Sequence, residues 1–221
     1  MKISPTLTEV KEIAKTGKYD ILPVSCEILS DFITPIEAMR ILQNVSTHCY
    51  LLESAQANEA WGRYTFLGYD PKLEINCIDG HMKLGKLSLE TENPSEYIRQ
   101  ILSEYKSPKF DYLPSFTGGL VGYFSYDYLG YKEKSIRGKA RDTEDFKDVD
   151  LMLFDKVIAF DNLCQKIILI ANMSLDAPET GYNKAIVELK QLRELLMHGE
   201  KKQNMGGKLL GEVTPLFDKE Q

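Results

Sequence analysis

Asp79-Gly80 stands between two runs of alternating apolar and polar residues, KLEINCI before it and HMKLGKL after it. A two-residue turn of this composition joins only antiparallel neighbours, because parallel strands need a crossover of a dozen or more residues. The chain is therefore obliged to build an antiparallel sheet. The same period of two extends back to His48 through HCYLLES and GRYTFLGYD, so residues 48–87 read as a cluster of strands. Residues 20–29 (DILPVSCEIL) also read as extended, with Pro23 marking an edge or a bend. Further on, LMLFDKVIAFDN and QKIILIAN predict a hairpin across Asp161 to Cys164.

Helices separate these clusters. Thr6-Leu7-Thr8-Glu9 and Thr34-Pro35-Ile36-Glu37 are capping boxes, the second with proline at the first helical position. Asn93-Pro94-Ser95-Glu96 opens a third helix, with Ile98, Ile101, Leu102 and Tyr105 at helical spacing. The last helix spans about Pro178 to His198. Ala185, Ile186, Leu189, Leu192, Leu195 and Leu196 give it one apolar stripe, and Gly199 stops it. Residues 1–199 are expected to form one α+β domain, with antiparallel β-sheets packed face to face and helices on the outside. Residues 200–221 are polar, contain Gly206-Gly207, and read as a linker.

Composition excludes several functions. Hydrophobic residues make up 43% and charged residues 27%, as in a folded soluble domain and unlike a disordered chain. The net charge is −6, and the most basic stretch, Lys132 to Arg141, is broken by Glu133 and followed by acids from Asp142 to Asp150. Nucleic acid, whose phosphates need a concentrated basic surface, is not an expected partner. The longest clear apolar run, Ile167 to Ala171, is far shorter than the roughly 20 residues of a membrane helix, so no membrane association is expected. The first residues carry no apolar signal segment. Cys26, Cys49, Cys77 and Cys164 form no CxxC pair, and His48, His81 and His198 complete no zinc spacing. Cys49 and Cys77 read as small buried hydrophobes in a reducing, cytoplasmic setting. GxSxG, HExxH, a Walker loop and a strand-linked GxGxxG are all absent. No catalytic residue, metal ligand or cofactor is assigned to this chain. Phe116 to Tyr126 (FTGGLVGYFSY) lacks side chains at three glycines, which suits either tight sheet packing or a ligand.

Three segments, in order and spacing, carry a family resemblance. They are Leu51-Leu52-Glu53-Ser54, then Trp61-Gly62-Arg63-Tyr64-Thr65-Phe66-Leu67-Gly68-Tyr69-Asp70-Pro71, then Phe116 to Asp127. This set resembles the N-terminal region of the large subunit (component I) of anthranilate synthase, a chorismate-using lyase of tryptophan biosynthesis. LPVSCEIL before TPIEA and DVDLMLFDKVIAFDN (148–162) extend the resemblance over most of residues 20–172. Residues 128–147 fit it poorly, and Thr65 stands where serine is frequent. The resemblance implies a regulatory and structural region forming half of the fold. It also implies a chorismate- and magnesium-binding catalytic domain beyond residue 221, and a glutamine amidotransferase subunit that supplies ammonia. The complete enzyme would convert chorismate and ammonia to anthranilate and pyruvate. The corresponding part of para-aminobenzoate (aminodeoxychorismate) synthase shares the glycine-rich segment and is the alternative, as is a non-enzymatic docking module.

The resemblance further implies that the Leu-Leu-Glu-Ser strand lines a feedback site for L-tryptophan. The residue chemistry is compatible. Glu53 can accept from an ammonium group, and the Ser54 hydroxyl or a strand-end amide can donate to a carboxylate. Leu52, Tyr64 and Phe66 can wall an indole ring. Arg63 has two readings: an ion pair with Glu53 or Asp70, or a bidentate grip on the ligand carboxylate.

Overall fold

The computed structural model describes residues 1–54, 62–133, 135, 146–203, 206–207 and 209–211. In chain order the elements are β1 (Ile3–Ser4), α1 (Leu7–Lys15), β2 (Ile21–Leu29), α2 (Pro35–Val45), β3 (Cys49–Leu52), β4 (Tyr64–Tyr69), β5 (Leu73–Ile78), β6 (His81–Leu84), β7 (Leu87–Glu90) and α3 (Pro94–Ser103). There follow β8 (Gly119–Phe124), a 3-10 helix (Tyr126–Tyr131), β9 (Val149–Phe154), β10 (Lys156–Asp161), β11 (Lys166–Ser174) and α4 (Pro178–His198). Both capping boxes form, each with the threonine hydroxyl and the glutamate carboxylate satisfying backbone N–H groups reciprocally.

The strands make a six-stranded sheet, ordered β1-β2-β11-β10-β4-β3, and a five-stranded sheet, ordered β7-β6-β5-β9-β8. Every described pairing is antiparallel. Pro23 lies on β2 at a position that β1, paired only to Ser25 and Cys26, does not cover. Around Asp79-Gly80, Ile78 pairs with His81, and the turn residues have φ of 47° and 84°. Two consecutive positive φ values define the type I′ turn that matches strand twist.

Two apolar runs divide where the sequence reads as continuous. HMKLGKL is two strands, because Gly85 takes φ of 58° and turns the chain so that Leu84 pairs with Leu87. LMLFDKVIAFDN is cut at Asp155, with Phe154 paired to Gly119 in one sheet and Lys156 to Ala171 in the other. The consequence is architectural. β4 pairs with β10 in the first sheet, and their continuations β5 and β9 pair in the second. One two-stranded ribbon therefore runs through both sheets. At the passage, Asp70 adopts a φ of 52° and pairs with Lys156 at 2.6 Å.

Helices α1, α2 and α4 cover one face of the six-stranded sheet, where Val10, Leu42, Leu169, Leu189 and Leu192 are fully or almost fully buried in one cluster. Each such side chain contributes roughly 1.5–3 kcal/mol by leaving water. The opposite face buries Val157, Ala159, Ile168 and Ile170 under Leu113, with Phe110 and Phe116 packed alongside. Helix α3 and the 3-10 helix cover the second sheet, with Ile98, Tyr128 and Tyr131 against Ile75, Cys77 and Leu151. The Tyr131 hydroxyl donates to Asp148 at 2.7 Å and accepts from the Gly80 amide at 2.7 Å, which ties the 3-10 helix to the hairpin. The expected α+β class with two antiparallel sheets is the one observed. After α4 the chain lies along α2, where Lys202 and Arg40 exchange hydrogen bonds. None of the four cysteines forms a disulfide; Cys26 and Cys77 are buried, Cys49 is half-buried and Cys164 is exposed. No helix among the described residues is long and apolar enough to cross a membrane.

Candidate functional site

The Leu-Leu-Glu-Ser segment forms the end of β3, an edge strand of the six-stranded sheet. Alternation decides which leucine is available. Leu51, opposite Leu67, joins the helix-covered core, whereas Leu52, opposite Phe66, points to the other face and is 49% exposed. Tyr64 and Phe66 share that face, with ring centroids 5.8 Å apart. Phe66 meets Phe116 edge-on at 5.6 Å. Phe116 also approaches Tyr50, which packs edge-on against Phe154 at 4.7 Å. Phe116 opens the glycine-rich segment, so an aromatic cluster joins the two sequence motifs in space. Tyr50 lies against Gly68, where a Cβ would come within 2.2 Å of its ring. Burial pushes the Tyr50 phenol above its ordinary titration range, and its hydroxyl has no hydrogen-bond partner among the described residues.

Glu53 and Ser54 follow the last strand residue and are exposed. Glu53 has no ion pair among the described residues, so its carboxylate is open to a cation. Trp61 and the rest of residues 55–61 lie outside the described residues. Leu52, Glu53, Ser54, Tyr64 and Phe66 thus gather at one end of the β3–β4 pair. Leu52, Glu53 and Ser54 are exposed there, and Tyr64 and Phe66 are half-buried. The hollow of about 400 Å³ beside α1, lined by Pro5, Ile13, Phe110 and Tyr112 among others, includes none of them.

Arg63 pairs with neither Glu53 nor Asp70. Its Nε and Nη2 donate to the two oxygens of Asp161 at 3.1 and 2.7 Å, and its guanidinium lies 4.9 Å from the centre of the Tyr64 ring. The Asp161 side chain is 0% exposed and Arg63 is 35% exposed. Burial pushes the Asp161 carboxyl up, but the Arg63 hydrogen bonds and the Cys164 amide outweigh it and hold the group down at about 2. Sequence reasoning passed over Asp161, although a signal exists. Val157, Ala159 and Asp161 share one strand face, and an acid at an apolar-phase position demands a partner.

The glycine-rich segment is explained by packing. A Cβ on Gly122 (φ 151°) would fall 1.9 Å from the Asp150 carbonyl oxygen, and one on Gly118 (φ 147°) would fall 2.5 Å from the Asn172 amide. Asn172 Nδ2 donates to the Thr117 and Asp155 carbonyls, sealing the corner where β8 meets β11. Among the described residues β8 is an edge strand, and Tyr123, Phe124, Tyr126 (86%), Leu129 and Phe146 are exposed on it and beside it. Among the described residues, no three His, Cys, Asp or Glu side chains come together to hold a metal ion.

No family model matches the chain. Anthranilate synthase component 1 of Acetivibrio thermocellus is 34% identical to it over 198 residues, which are 87% of this chain and 39% of that protein. The protein of the same description from Pseudomonas aeruginosa is 35% identical over 196 residues, 85% of this chain and 39% of its own length. Among solved structures, anthranilate synthase component I from Streptococcus pneumoniae aligns with a TM-score of 0.49 and 25% identity, covering 75% of this chain and 36% of that one. The chain spans about two fifths of the length of the curated relatives it matches. With identity above 30% across most of its residues, the chain is homologous to the N-terminal region of anthranilate synthase component 1.

Proposed function

We propose that this chain is the regulatory and structural part of an enzyme that makes anthranilate from chorismate and glutamine-derived ammonia, and that it carries the L-tryptophan feedback site. One observation supports the site above all others. The Glu53 carboxylate, without an ion pair among the described residues, stands at the end of an edge strand, beside an apolar surface made by Leu52, Tyr64 and Phe66. An α-amino acid with an aromatic side chain needs that combination of an ammonium acceptor and a flat apolar wall. Chorismate and magnesium chemistry belong, on this reading, to the part of the longer relatives that this chain does not span. The exposed aromatic edge around β8 is the surface that this part would cover, since a bare apolar patch of this kind marks an interface. Ammonia would come from a glutamine amidotransferase subunit docked on the complete protein.

The test is calorimetric titration of L-tryptophan into the chain and into a version extended by a catalytic half, each beside Ser54→Phe. Tight binding that Ser54→Phe weakens at least about tenfold supports the reading, because one hydrogen bond to a charged ligand contributes about 1.5–3 kcal/mol. Equal binding by both would remove Ser54 from the site. Absence of binding by the extended version would remove the tryptophan reading.

A further inference from the structure

The Nε–Nη2 edge of the Arg63 guanidinium is occupied. Two of its nitrogens hold Asp161, and Nη2 also lies 3.6 Å from the Cys164 sulfur. The Asp161 carboxylate in turn accepts the Leu163 and Cys164 amides at 3.2 and 3.0 Å. Were Arg63 to swing toward a ligand carboxylate, it would leave a fully buried carboxylate without its counter-charge, one of the most costly changes a folded chain can make. The neighbouring hydrogen bonds tie the backbone at the same place. The Asn162 amide donates to the Arg63 carbonyl at 2.8 Å, and Asn162 Nδ2 reaches Gly62 O and Thr65 Oγ1 at 3.4 and 3.3 Å. Together these bonds pin the first residues of β4 to the β10–β11 turn. Tyr64 and Phe66, which face Leu52, are carried directly by that pinned end.

We propose that Arg63 is a positioning residue for the effector site: its ion pair with Asp161 fixes the start of β4, and with it the Tyr64 and Phe66 wall, while the ligand's carboxylate is met by other groups. The proposal rests on the tryptophan reading for its functional consequence, and on the ion pair alone for its structural one. It separates cleanly from direct ligation through Asp161→Asn, a nearly isosteric change that releases Arg63 and keeps its charge. Positioning requires that this variant bind tryptophan more weakly, by up to about tenfold, the effect of misplacing one aromatic contact with the ring. Direct ligation requires equal or tighter binding, since the guanidinium is then free for the ligand, and that result would overturn the proposal.

A second arm compares L-tryptophan with tryptamine, which lacks the carboxylate, in wild type and Arg63→Gln. Loss of affinity by the same factor for both ligands supports positioning, whereas loss confined to tryptophan overturns it. Titrations are run on the extended protein at a temperature where circular dichroism shows every variant folded, so that global unfolding does not enter. The third arm needs no ligand. Amide exchange at residues 62–66 should speed up in Asp161→Asn while β2 and β11 keep their protection; unchanged exchange at residues 62–66 overturns the proposal. If wild type binds no tryptophan, the effector reading fails and the exchange arm still decides whether the pair fixes β4.

Discussion

Replacing Asp161 by asparagine should make stability less dependent on acid. The carboxyl falls from an ordinary value of 3.8 to about 2 in the folded chain. At 1.36 kcal/mol per tenfold change in proton affinity, that drop corresponds to roughly 2–3 kcal/mol. The carboxylate is fully buried although Arg63 is 35% exposed, so this interaction is screened less than a surface pair. The folded-state value is depressed, so the contribution is complete above the unfolded value near 3.8 and is lost as pH falls through about 2. Urea unfolding followed by circular dichroism at pH 7 should therefore show Asp161→Asn destabilised by roughly 2–3 kcal/mol, with an unchanged slope against denaturant. At pH 3 the gap should shrink to roughly half, because the wild-type carboxylate is losing its advantage while the amide has none to lose. A penalty of equal size at pH 7 and pH 3 would refute the electrostatic account and assign the cost to packing. No penalty at pH 7 would refute the ion pair's contribution altogether.

Other outcomes follow from single interactions. Gly122→Ala should lower the urea midpoint by the equivalent of about 2 kcal/mol or more, because the added methyl meets the Asp150 carbonyl and φ of 151° is strained for alanine; a midpoint within error of wild type would show that β8 is free to move. Tyr50→Phe keeps the ring against Phe154 and removes a buried hydroxyl that has no partner among the described residues, so it should leave stability unchanged or raise it by about 1 kcal/mol, and clear destabilisation would reveal a partner for that hydroxyl. Given chorismate, ammonia and magnesium, the 221-residue chain should release no anthranilate, whereas turnover detected by anthranilate fluorescence would place catalytic groups inside it. The exposed aromatics around β8 should drive self-association that sedimentation detects, and Phe124→Lys should reduce it; a monomer at high concentration would argue against a covered surface there.

Local signals carried a large part of the fold. Capping boxes, a type I′ turn dipeptide and the periods of 2 and 3.6 are written in neighbouring residues, so both N-terminal helices, the Asp79-Gly80 hairpin, the hairpin after Asp161 and α4 were legible without a structure. What neighbours cannot encode is which strands share a sheet. The cut at Asp155 that sends β9 and β10 into different sheets leaves the apolar run unbroken, and only the pairing with β8 and β11 exposes it. The same limit applies to the site. Sequence placed Leu52, Glu53, Ser54, Tyr64 and Phe66 as candidates, and the packing of Leu51 into the helix-covered core leaves Leu52 on the outward face. The partner of Arg63 lies 98 residues away, so the choice between a ligand grip and an ion pair was decided by tertiary structure. Desolvation made that choice: a buried carboxylate must be matched by a cation wherever the chain can bring one, and sequence distance does not enter that energy.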